Sequence, residues 1–85
     1  MSGPAEENYE HAESLFADKH YSEALKYYRK VLKINPKDYT AAKNCILIAR
    51  RQKSTGLEKK YLPVIIEVSP DEQERMSAKA RLEQL

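Results

Sequence analysis

A chain of 85 residues holds one domain at most, and at that size folding covers only roughly 60–65% of the unfolded surface, which leaves no room for a large enzyme. The formal charge is +2 with one third of the residues charged, a near balance that suits a soluble helical protein and not a basic tail built for nucleic acid. The single cysteine, Cys45, cannot close an internal disulfide, so nothing requires an oxidising compartment and a cytoplasmic setting is expected.

In chain order, Met1 to Pro4 read as a disordered end, with neither the basic start nor the apolar stretch of a signal peptide. A first helix is expected over about 5–18. Glu6 and Glu7 lie in its first turn, where negative charge suits the helix dipole, and Asn8, His11, Ala12 and Leu15 form its inward row. The turn Asp18-Lys19-His20 lacks a glycine, so its backbone must reach the turn conformation at a cost. A second helix is expected over about 22–34. Ala24, Tyr28 and Val31 recur on it at i, i+4, i+7, with Tyr21, Leu25 and Leu32 beside them, which gives an apolar band wide enough for neighbours on two sides. Ser22 is its expected cap, and Asn35-Pro36 ends it because the residue before proline leaves the α region.

A third helix, over about 38–53, carries Ala42, Cys45, Ile46 and Ala49, with Leu47 and Ile48 on an adjoining face, and Ser54-Thr55-Gly56 breaks it. The run from Tyr61 to Val68 admits two readings, because Val64, Ile65, Ile66 and Val68 also suit a buried strand. Helix, over about 57–68, is preferred, since a lone strand would find no partner for its backbone groups; Pro63 then requires a late start or a kink. A last helix over about 70–84 is announced by Ser69-Pro70-Asp71-Glu72, read as a cap, a first-turn proline and a capping box, with Met76, Ala80 and Leu82 as its modest apolar face.

Ala24, Tyr28 and Pro36 together resemble the tetratricopeptide pattern, which has a period of 34 residues. Pro70 stands 34 after Pro36, and Tyr27, Tyr28, Val31-Leu32 and Ile34 return as Tyr61, Leu62, Ile65-Ile66 and Val68. The resemblance implies an all-α, short solenoid of antiparallel helical hairpins, with repeat 1 over 5–38, a divergent repeat 2 over 39–72, and the remainder of a capping helix over 73–85. A second division competes with it. Ala41-Ala42-Lys43, Arg50-Arg51-Gln52-Lys53 and Glu58-Lys59-Lys60-Tyr61 are similar to the long helix that follows the final repeat in immunophilin-type members, and on that reading only 5–38 is a true repeat. Gly56 and Pro63 argue against one continuous helix.

Chemistry-bearing sets are sparse. His11, His20 and Cys45 have no paired metal-ligand spacing, a cysteine in an apolar stripe has little thiolate, and two glycines make no phosphate loop. The sequence therefore implies no enzyme, no cofactor and no metal. Arg50-Arg51-Gln52-Lys53 with Lys59-Lys60 is the only stretch a nucleic acid could use, and cations near a helix C-terminus have an ordinary role at the dipole; neither nucleic acid nor a membrane is expected as partner. What the resemblance implies is a protein-interaction module, an adaptor or scaffold, whose first helices line a concave peptide groove. By position that groove takes Tyr9, Glu13 and Phe16, then Lys43, Leu47, Arg50 and Arg51, then Ser77 and Arg81, and suits a segment with an acidic group and an apolar anchor. Asn44 and Arg81 fall near the family's carboxylate-clamp positions, whereas Tyr9, Glu13 and Ser77 replace the rest of that clamp. The alternative is self-assembly as a homodimer, with Ile48, Ile65 and Ile66 covered by a second copy.

Overall fold

The computed structural model describes residues 3–85 and consists of five helices: α1 (Pro4–Ala17), α2 (Tyr21–Ile34), α3 (Tyr39–Arg51), α4 (Thr55–Val68) and α5 (Glu72–Gln84). Pro4 is the first residue of α1 and not part of a disordered end, as a proline at the start of a helix gives up an N–H that had no partner anyway. Met1 and Ser2 lie outside the described residues. Each helix packs on the next in sequence, and the pairings run antiparallel. Phe16 meets Tyr21 and His11 meets Tyr27 across α1 and α2; Ser22 meets Gln52 across α2 and α3; Glu58 meets Arg50 on α3 and Arg81 on α5. The odd-numbered helices consequently run parallel to one another, with Glu13 of α1 bonded to Asn44 of α3 and Tyr39 of α3 bonded to Glu74 of α5.

The core is where the apolar rows placed it. Ala24, Leu25, Tyr28, Val31 and Leu32 of α2 are buried, against Ala12 on one side and Ala41, Ala42, Cys45 and Ile46 on the other. Such a two-sided helix, each buried aliphatic side chain contributing about 1.5–3 kcal/mol by leaving water, is what the wide band required. On α1 only Ala12 is fully buried; Asn8 bonds back to the Pro4 carbonyl at 2.8 Å and His11 lies against the Tyr27 ring, 4.3 Å between centroids, so the outer end of the stack is polar.

Both hairpin turns use the same hydrogen bonds at an offset of 34. The amides of Asp18, Lys19 and His20 donate to Ser14, Phe16 and Leu15; those of Gln52, Lys53 and Ser54 donate to Ile48, Arg50 and Ala49. Lys19 (φ 64°) and Lys53 (φ 56°) each hold the left-handed conformation that a glycine would enter without cost, which is the strain expected of the first turn and its recurrence in the second. The second turn also separates α3 from α4, so the long continuous helix is not formed, and Tyr61–Val68 is helical and not a strand. Pro63 sits exposed within α4, where it forgoes the backbone bond its position would otherwise make.

Three local expectations are corrected. Ser22 does not cap α2: the helix begins one residue earlier behind His20 without a side-chain cap, and Ser22 accepts a bond from Gln52 at 3.0 Å. Ser69 does not cap α5, and Glu72 closes no box with it. Asp71 caps, accepting from the Gln73 amide at 3.0 Å, and Ser69 closes α4 while its hydroxyl donates to Glu74 at 2.6 Å. Met76 and Ala80 do not form the buried face of α5. Ala78 is buried, Leu82 and Leu85 pack beside it, and Met76 is 64% exposed, because the inward stripe is Glu74, Ala78 and Arg81, at i, i+4, i+7, with Glu74 bonded to Tyr39 and Arg81 to Glu58.

Candidate functional site

The parallel run of α1, α3 and α5 forms a wall of side chains whose candidate groove residues divide into two groups. The first gathers around Tyr28, the largest fully buried side chain. Its hydroxyl donates to Glu13 and accepts from the Asn44 amide at 2.9 Å, and Asn44 also donates to Glu13 at 3.1 Å. Burial and then the Glu13 carboxylate push the Tyr28 hydroxyl well above its ordinary pKa, so it stays a donor at any working pH. Tyr9 and Phe16 meet the same ring edge-on, at 6.2 and 6.3 Å between centroids. Glu13 and Asn44 thus join α1, α2 and α3, and the surface of this group is the exposed Glu13 with the half-exposed Tyr9 and Phe16 beside it.

The second group surrounds a hollow of about 160 Å³ between α3 and α5. Its floor is apolar, from Ile46, Leu62, Ile65 and Ala78, and Leu47, 40% exposed, overhangs it. Lys43 and Glu74, 3.8 Å apart, both line the hollow, and Arg50 lines it as well. Ser77 also lines it. Arg51 is placed elsewhere: it turns toward α2 and stacks over Tyr21, 4.6 Å from the ring centroid. Arg81 does not line the hollow; it is half-exposed and held to α4 by Glu58.

Glu58 is the residue that sequence reasoning did not single out. It is 2% exposed, and its carboxylate takes two parallel bonds from Arg81, both 3.0 Å, and one from Arg50 Nε at 3.2 Å. Hydrogen bonds from Arg81, and secondarily from Arg50, hold the carboxyl below the usual range although burial alone would raise it. One signal could have found it. Glu58 stands 34 after Ala24, so a charge occupies the register of the small residue at the crossing of the first hairpin. A charge there must be paired.

Cys45 is buried, and burial pushes its thiol up to about 12, as an apolar stripe implies. Among the described residues no group of three or more His, Cys, Asp or Glu is placed to hold a metal ion, and no helix is long and apolar enough to cross a membrane.

Stacked antiparallel hairpins with parallel first helices define a helical-repeat protein. Residues 5–38 match the family model described as tetratricopeptide repeat, which supports assigning that stretch to a family whose repeats generally mediate protein–protein interaction and are generally non-catalytic. Comparisons with curated proteins and with solved structures returned no match.

Proposed function

We propose that the chain is a non-catalytic module that receives a peptide segment of another protein along the α1, α3 and α5 wall, and that the segment presents an apolar side chain with an acidic group beside it. The observation that carries this reading is the hollow between α3 and α5. Its volume of about 160 Å³ is far above the ~10–15 Å³ that holds one water, its floor is apolar, and Lys43 and Arg50 line it. Arg50 spends Nε on Glu58 and keeps its terminal nitrogens for a partner carboxylate, while Lys43 is only loosely engaged by Glu74. Self-assembly has less to support it, since Ile48 and Ile65 are buried within the chain and Ile66 is partly covered.

Leu47 tests the groove best, because reversing Arg50 and Arg81 would also free the buried Glu58 and confound binding with folding. Peptides enriched on the wild-type chain from a randomised display library should lose at least about tenfold in affinity for Leu47→Asp, and keep it for Met76→Asp on the outer side of α5. Equal binding to both variants would remove the groove assignment.

A further inference from the structure

On the opposite side of the molecule, α2 carries Lys26, Arg29, Lys30 and Lys33 at i, i+3, i+4, i+7, all exposed, and α4 adds Lys60. These five cations ring two adjoining hollows of about 370 and 240 Å³ that share Arg29 and Lys33. No carboxylate lines either hollow. The ion pairs among the described residues, Lys37 with Glu67, Lys43 with Glu74, and Glu58 with Arg50 and Arg81, use none of the five. Their floors are aliphatic and aromatic, Leu25 in the first, and Leu32, Tyr61 and Val64 in the second. Like charges at this spacing repel one another within an isolated helix, a cost that a bound anion reverses.

We propose that the outer face of α2 and α4 is a second docking surface, for an acidic amphipathic protein helix laid along their seam, with carboxylates toward the five cations and aliphatic side chains in the two hollows. The floors separate this occupant from a nucleic acid. A phosphate backbone has nothing apolar to place on Leu25, Leu32 and Val64, and Tyr61 is the one aromatic ring lining the hollows, where binding a single strand by stacking takes a succession of rings. A lipid surface is disfavoured by shape, because the cations rim concavities in place of flanking a protruding apolar ridge. The surface is independent of the groove: it shares no lining residue with the hollow between α3 and α5.

The test uses the full chain and a synthetic helical peptide of about 18 residues with Glu on one stripe and Leu on the next, followed by fluorescence anisotropy at low and at physiological salt. Arg29→Glu with Lys33→Glu should weaken binding at least about tenfold at low salt, and a peptide carrying Lys in place of each Glu should bind that variant better than wild type. Met76→Asp, on an exposed side chain that lines none of these hollows, should leave the affinity unchanged. If Arg29→Glu disturbs the fold, Lys26→Glu with Lys30→Glu, both on exposed side chains, decides the matter with the same expected loss. Affinity within about twofold of wild type in the folded charge-reversed variant would overturn the proposal. Tighter binding of the wild-type chain to poly(U) RNA or to phosphatidylserine vesicles than to the peptide would overturn it too.

Discussion

In the first hairpin and the helix after it, the register of residues 16, 24 and 47 is filled by Phe16, Ala24 and Leu47, all apolar; 34 residues later the same register holds Arg50, Glu58 and Arg81, all charged. The turn geometry nevertheless repeats bond for bond, down to a lysine at positive φ in each turn. Backbone closure of the hairpin therefore does not depend on a small residue at position 24 or its counterpart. What changes is dependence on the neighbour. Ala24 needs nothing beyond close packing, whereas Glu58 needs an arginine from α5, so the second hairpin and the terminal helix are joined through an ion cluster.

The largest effect expected from breaking that contrast is in the first hairpin. Ala24→Glu places a carboxylate at a fully buried position whose register neighbours are Phe16 and Leu47, and should cost about 3–5 kcal/mol, most of the stability of a domain this small. Thermal unfolding followed by circular dichroism will show it. The converse exchange, Arg50→Phe with Glu58→Ala and Arg81→Leu, converts the charged set to the apolar one and should leave the chain within about 1 kcal/mol of wild type or more stable, since removing a buried carboxylate together with its half-exposed partners leaves no charge uncompensated. Loss of several kcal/mol would mean that the cluster supplies net stability and not merely attachment. The smallest effect concerns what the hairpins share. Lys19→Gly and Lys53→Gly should each stabilise by about 0.5–1 kcal/mol, and by the same amount within error, because the two turns hold one conformation. Unequal gains would show that the turns differ in strain.

Much of this was legible before any coordinates. The i, i+4, i+7 row of α2 fixes its burial, and the recurrence of Pro36 at Pro70 fixes the period, because both depend on local spacing. The caps of α2 and α5 lie two residues from where the sequence suggests them, since Ser22, Ser69 and Asp71 are all good caps and only the packing of the neighbouring helices chooses among them. The groove was legible as a surface but not as chemistry. Glu13 and Asn44 turn out to be held by Tyr28, Arg81 by Glu58 and Arg51 by Tyr21, and no one-dimensional spacing reports which partner a long side chain selects. Lys43, Leu47, Arg50 and Ser77 are the candidates that share one hollow.

The most direct test of that hollow as the recognition site is a backbone amide shift titration of the labelled chain with a peptide selected on it. The account predicts the largest perturbations on α3 and α5 at Lys43, Leu47, Arg50, Ser77 and Ala78, with smaller ones at Tyr9 and Phe16. Perturbations confined to the outward residues of α2 and α4 would contradict it.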